Sequence, residues 1–280
     1  MLPRPVLAVL LALVAATCVL AAPAHARLDP PPLTNTAAPT LTGTPKDGQV
    51  LRAHPGRWTP RRTETRYRWL RDGEPIRGAD ARRYRLTSRD VGTRVAVDVR
   101  VRAEGYAWTS APSEQTPTVD HGTPVRRRVT YSVTTRGTIT TSPATFGRQA
   151  QETYADARGW RAGGIAFRQV PRGGDFTLVL AAASTLPSFG AGCSTFWSCR
   201  VGRFVVVNQD RWRFASPAWN RAGARLRDYR HLVVNHETGH WLGHGHRGCP
   251  GQGQPAPVMM QQSKGLDGCR FNPWPRPDER

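Results

Sequence analysis

Lysine is nearly missing from this chain. Lys46 and Lys264 are the only two, so the rest of its 40 basic residues are arginine, set against 20 acidic residues for a formal net charge of +20 at pH 7. A skew toward arginine fits the codon usage of a GC-rich genome as well as it fits an anionic partner such as a cell envelope. Nucleic acid is a poor candidate, because the arginines are spread along the chain and Arg126-Arg127-Arg128 is their only compact run. Cysteine is absent between Cys18 and Cys193, which leaves the first half of the mature chain without any staple or thiol chemistry. Long apolar runs are missing too, apart from Val6 to Ala22, so nothing downstream of residue 22 is expected to span a membrane.

That single run sits behind a short basic start and ahead of Ala24-His25-Ala26, a small-x-small cleavage site. Residues 1–26 therefore read as a signal peptide and the protein as secreted, extracellular or cell-wall associated. Cys18 leaves with the signal, since Ala15-Ala16-Thr17 before it lacks the leucine of a lipid-attachment box. Four cysteines remain, an even number in an exported chain, and two disulfides are expected. Of the three possible pairings, Cys193 with Cys199 and Cys249 with Cys269 needs the least loop closure. An even count also disfavours a thiolate held in reserve as a cap on a metal.

Residues 27–118 have the marks of an all-β module. Tyr67-Arg68-Trp69-Leu70 and the run Val95 to Val101 alternate apolar and polar residues, and Asp72-Gly73 and Asp90-Val91-Gly92 supply turns. The series Gly43-Thr44-Pro45, Pro55-Gly56-Arg57-Trp58, Tyr67-x-Trp69, Asp90-x-Gly92 and Ala103-Glu104-Gly105-Tyr106 resembles bacterial immunoglobulin-like repeats. That resemblance implies a β-sandwich with Trp69 as its core tryptophan, serving as a wall- or partner-binding module or as a spacer. A linker is expected at 119–124.

Residues 125–280 mix strand and helix patterns, enough for one core and an α+β fold. Strands are predicted at Arg127–Thr135, Ile165–Val170, Phe176–Ala182 and Arg203–Asn208, and a helix at Phe146–Trp160 behind Ser142-Pro143. A second helix is predicted over Asp228–Leu242, with Asp228 as a possible N-cap or with an earlier start at Ser216-Pro217. The loop from Leu186 to Val201, rich in glycine and aromatics, is expected to border a cleft.

The second helix carries the densest chemistry in the chain, His236-Glu237-Thr238-Gly239-His240-Trp241-Leu242-Gly243-His244-Gly245-His246. Residues four apart on a helix differ by about 40° in direction, so His236 and His240 can reach one metal ion, while Glu237 points about 100° away and suits a base. Gly243 can adopt positive φ and end the helix, bringing a third imidazole back from a new direction. The Gly-His-Gly-His run leaves His244 as well as His246 in reach of that position. His231, five residues before His236, is off the ligand face and reads as a core histidine.

Pro257-Val258-Met259-Met260 follows after a loop rich in glycine and proline. Together these elements resemble the metzincin metallopeptidases, whose His-Glu-x-x-His-x-x-Gly-x-x-His motif precedes a tight turn with a methionine beneath the metal. The resemblance implies one Zn2+ per chain held by His236, His240 and His246, Glu237 as general base, and Met259 as the turn residue, with Met260 able to exchange roles. Within that group, Asn235–His246, Pro255–Gly268 and Asn272-Pro273-Trp274-Pro275 resemble a family of secreted actinobacterial proteins known only as a domain of unknown function, over about the last 150 residues. Arg247 stands where several metzincin subfamilies have an acidic residue or serine, and no tyrosine follows Met259.

The reading that follows is a monomeric, secreted zinc metalloendopeptidase that hydrolyses peptide bonds of a protein or peptide substrate with zinc-bound water. Its alternatives are an envelope-binding protein with a non-catalytic zinc site and an amidase acting on cell-wall peptides. An intact Glu237 and an open fourth position weigh against a purely structural site.

Overall fold

The computed structural model describes residues 29–280. The signal segment 1–26 and Cys18 lie outside the described residues. The chain folds as α+β, with several sheets and four α-helices among the described residues. No described helix is long and apolar enough to cross a membrane.

The first part is built from β1 (Thr34–Ala37), β2 (Thr40–Thr42), β3 (Val50–His54), β4 (Arg57–Thr59), β5 (Glu64–Arg71), β6 (Glu74–Pro75), β7 (Arg83–Arg85), β8 (Val95–Arg102) and β9 (Thr109–Pro112). Every pairing among them is antiparallel, in a four-stranded sheet β6-β5-β8-β9, a three-stranded sheet β2-β3-β7 and the β1-β4 pair. β8 alternates in sequence and its valine face is the fully buried one, although Ala96 and Asp98 on the other face are covered as well. Val95, Val97, Val99 and Val101 are fully buried against Trp69, Leu51 and Ala53, while Arg100 and Arg102 stay in solvent. The Trp69 indole N–H donates to the Ala81 carbonyl at 2.8 Å, which lets the polar edge of the ring be buried with the rest.

Two of the six residues of the expected linker, Val119 and Asp120, belong to this first part. Val119 is buried in its core, its N–H bonds the Thr93 carbonyl, and Asp120 exchanges backbone hydrogen bonds with the Pro45–Asp47 turn. The chain is free of these ties only from His121 to Pro124.

The second part contains β10 (Arg127–Arg136), α1 (Pro143–Ala155), β11 (Ile165–Gln169), β12 (Phe176–Ala181), β13 (Cys199–Val201), β14 (Phe204–Asn208), α2 (Gln209–Phe214), α3 (Pro217–Arg221) and α4 (Leu226–Trp241). Its sheet has the order β11-β10-β12-β14-β13, parallel except for β13 at one edge. Leu178, Leu180, Val205 and Val207 face α1 and α4, and Val179, Ala181 and Val206 face the segment 186–201 on the other side. Both faces are therefore covered, and these strands read as continuous apolar runs.

Three boundaries differ from expectation. The first helix begins at Pro143, not Phe146, because Ser142 caps it by accepting from the Thr145 N–H. It ends at Ala155, where Asp156 turns extended and its carboxylate engages Arg158, and Trp160 falls in a separate 3-10 turn, Trp160–Gly163. Asp228 is not an N-cap: α4 starts at Leu226, with Arg225 in the cap position and Asp228 in the first turn, where a carboxylate suits the positive end of the helix. Ser216 caps its own short helix, α3, through the Trp219 N–H. Edge strand β13 and helix α2 were not anticipated at all.

Candidate metal centre

Helix α4 lies against β14 and β13 and turns the row Leu232, Val233, His236, Glu237 and His240 toward a cleft of about 570 Å3. The helix ends in paired hydrogen bonds, His244 N–H to Gly239 O at 2.9 Å and Gly243 N–H to His240 O at 3.2 Å, the arrangement of a Schellman cap. That cap requires a left-handed residue, and Gly243 has φ +101°. The chain reverses there and returns His246 to the two helical histidines.

The three imidazoles meet through their Nε2 atoms. His240 Nε2 is 3.2 Å from His236 Nε2 and 3.1 Å from His246 Nε2. His236 Nδ1 faces the Val258 carbonyl at 2.8 Å and His240 Nδ1 faces the His244 carbonyl at 2.9 Å. Carbonyls only accept, so both Nδ1 atoms carry the proton, and in the neutral rings both Nε2 atoms are bare lone pairs pointing at each other. Burial keeps these rings neutral: it pushes the pKa of His236 down to about 3 and lowers those of His240 and His246. Lone pairs converging at this distance repel unless a cation sits among them. The edge of a tetrahedron of nitrogens around zinc is about 3.3 Å, from Zn–N distances near 2.0–2.1 Å. The donor set thus fits a divalent metal, and His236, His240 and His246 are the group able to hold one.

Glu237 lines the same cleft and is 6% exposed. Burial pushes its carboxyl up to about 8, and a cation beside it favours the ionised form. His244 is no part of the cluster. Its ring stacks on Trp160 at 4.9 Å, and its carbonyl orients His240. His231 is buried, bonds Thr153 Oγ1 at 2.9 Å and packs on Trp274, with its pKa pushed down to about 3 by burial.

Beneath the helix, Pro257 to Met260 form a turn closed by a 3.0 Å hydrogen bond from the Met260 N–H to the Pro257 carbonyl. Met259 is fully buried against Gly239, where any side chain larger than hydrogen would meet its sulfur. Met260 packs elsewhere, with Ala256, Leu266, Cys249 and Cys269. The Cys249–Cys269 disulfide, Cα–Cα 5.7 Å, ties the segment after His246 to the segment beyond the turn. Cys193–Cys199, Cα–Cα 5.5 Å, closes the opposite lip, where Ser194, Trp197 and Arg200 from the 186–201 loop line the cleft. Both pairings are those of least loop closure, and two disulfides suit an oxidising environment. Arg247 reaches Asp278 at 2.9 Å, so the residue that departs from the metzincin pattern anchors the C-terminal segment.

Sequence reasoning missed the group that holds the turn. Glu279 is buried, and its carboxylate accepts from the N–H groups of Val258 and Met259 at 2.9 Å each and of Arg276 at 2.8 Å. Pro277 at the first position of a 3-10 turn with glutamate at the third was the available signal, since that glutamate reaches back to the cap N–H. It carried no hint of the turn twenty residues away. Arg200 and Lys264 on the cleft were also missed, lying far apart in sequence.

No curated protein matches the chain. The protein family of unknown function DUF3152 matches residues 98–277, a span that begins within β8 and takes in the three histidines, Glu237 and Met259, and the chain belongs to that family.

Proposed function

We propose that this chain is a secreted zinc-dependent peptidase of metzincin type, with an immunoglobulin-like module ahead of its catalytic part. The observation that carries the reading is the convergence of three histidine Nε2 atoms, 3.1–3.2 Å apart along two edges, beside a buried glutamate on the wall of an open cleft. A structural zinc site would be enclosed by a fourth protein ligand, whereas His236, His240 and His246 line an open cleft. Zinc held by these histidines would acidify a water molecule and polarise a peptide carbonyl.

The chain's own residues divide the remaining work. Glu237 takes the proton released from the water and passes it to the leaving amine. The Val258 and His244 carbonyls fix the tautomers of His236 and His240. Trp197 and the 186–201 loop wall the cleft on one side, and Gln261 and Ser263 wall it on the other. Arg200 and Lys264 line the cleft and Glu237 is its only carboxylate, so peptides with acidic residues beside the scissile bond are favoured. The N-terminal module, with its basic outer face, suits an envelope-binding or spacer role.

Glu237→Gln tests the reading. It keeps size and helix geometry while removing the base, so zinc content stays at the wild-type level and turnover of a peptide library falls by about 100-fold or more. A wild-type protein that binds zinc but cleaves nothing across peptide and cell-wall panels would replace the enzyme with a binding protein.

A further inference from the structure

A second cavity, of about 620 Å3, lies where the two parts of the chain meet. Its walls come from the Asp47 turn and the Arg85–Ser88 segment in the first part, from His121–Thr123, and from Ala157–Ala162 and the segment Asn272–Arg280 in the second. Six basic side chains line it, Arg85, His121, Arg158, Arg161, Arg276 and Arg280, against the single carboxylate side chain of Asp47. Arg158 is spent on Asp156 at 2.6 Å and Arg276 on Asp278 at 3.3 Å. Among the described residues, Arg85, Arg161 and Arg280 have no carboxylate within ion-pair distance. Each is instead held by one backbone carbonyl: Gly48 at 2.7 Å for Arg85, Thr123 at 2.8 Å for Arg161 and Arg276 at 3.3 Å for Arg280.

A guanidinium offers five donors, so one carbonyl fixes its position and leaves most of its hydrogen-bonding capacity free. Three such groups line one cavity, brought from both parts of the chain, and their donors are largely unmet; Arg280 alone feels carboxylates, those of Glu279 and Asp47, from beyond ion-pair distance. Partial burial lowers the pKa values of Arg161, Arg280 and His121, while Arg85 and Arg280 keep enough exposure for a ligand to reach them from solvent. An anion with several oxygens satisfies the unmet donors and supplies the missing ion-pair partner, and the planar fork of arginine matches a phosphoryl group better than lysine does. We propose that this junction is an oxyanion site that takes a phosphate or phosphodiester group and is independent of the metal cleft. A ligand there bridges the two parts of the chain and touches the segment that carries Glu279.

The test is calorimetric titration of the mature protein with pyrophosphate at fixed ionic strength. One saturable site per chain is expected, weakened at least tenfold in Arg161→Gln/Arg280→Gln and at least threefold in Arg85→Ala, whose exposed position on β7 makes it safe for folding. Arg66→Ala/Arg100→Ala, on the exposed face of β5 and β8, is the control for bulk charge and is expected to change affinity less than twofold. His240→Ala, which removes a metal ligand, is expected to bind pyrophosphate as wild type does and so separates this site from chelation in the cleft. Competition by poly(glycerol phosphate) assigns the site to a polymer phosphodiester; pyrophosphate binding without such competition assigns it to free phosphates. Non-saturable binding, equal losses in the junction and control variants, or loss of binding in His240→Ala alone overturns the proposal.

Discussion

Replacing Glu279 with glutamine should damage the candidate metal site, although Glu279 is not among the three histidines that could hold the ion. Its carboxylate receives three backbone N–H groups, two on Oε2 and one on Oε1. An amide has only one acceptor oxygen. Kept for Val258 and Arg276, that oxygen leaves the Met259 N–H facing an NH2 group, and the two surviving bonds lose their charge assistance. A hydrogen bond to a charged group contributes about 1.5–3 kcal/mol and a neutral one about 0.5–1.5 kcal/mol. One bond lost and two weakened therefore add to roughly 3–5 kcal/mol, a large share of a typical stability of about 5–15 kcal/mol. Urea unfolding of zinc-free protein should show the midpoint falling by roughly 1 M or more for a slope of about 3 kcal/mol/M. Zinc affinity should fall by about 10–100-fold, as it does when groups that orient a metal's ligands are removed, because the turn beneath the site also positions the Val258 carbonyl that holds His236. A variant with an unchanged midpoint and zinc affinity within threefold of wild type would show that the turn stands without its carboxylate.

Gly239→Ala should cost about 1–3 kcal/mol by forcing a methyl group onto the Met259 sulfur, and the cost should shrink in a Met259→Ala background; equal costs in both backgrounds would mean that the contact is not the cause. His231, held down to about 3 by burial, should remain neutral at pH 5 by NMR, and a midpoint near 6.5 would refute its burial. Because its folded pKa lies below its unfolded one, its contribution is complete above pH 6.5 and falls by about 1.4 kcal/mol per pH unit as the pH drops toward 3. Arg200→Glu/Lys264→Glu should invert a preference for acidic over basic peptides measured as kcat/KM; cleavage that continues with no charge preference in either protein would remove these residues from substrate selection while leaving the peptidase reading in place.

The histidine-bearing helix was legible because its information is local. Four-residue spacing places His236 and His240 on one face, and a glycine at a helix end announces a left-handed cap. The alternation of Val95 to Val101 was legible for the same reason, since a period of two needs no knowledge of the partner strand. Signals failed where several local solutions compete. Asp228 is a better capping residue than Arg225, yet the helix starts earlier because Leu226 and Tyr229 pack inside, and packing outweighs a cap of about 1 kcal/mol. Glu279, Arg200 and Lys264 were invisible because each matters through a neighbour distant in sequence. The role of Val119 was hidden for the opposite reason: a short polar stretch with Gly122 and Pro124 reads as linker, although its valine completes a core and the backbone of Asp120 bridges to the Pro45–Asp47 turn.

The dependence of the methionine turn on Glu279 gives the site an order of assembly. During vectorial emergence of the chain the three histidines and the turn appear first, and for that interval the Val258 and Met259 N–H groups have no acceptor. The cleft can take its final shape only after the segment carrying Glu279 has followed and docked, with Arg247 holding Asp278 beside it. A chain cut between the turn and Glu279 would then keep all three histidines yet lose the group that shapes the turn beneath them.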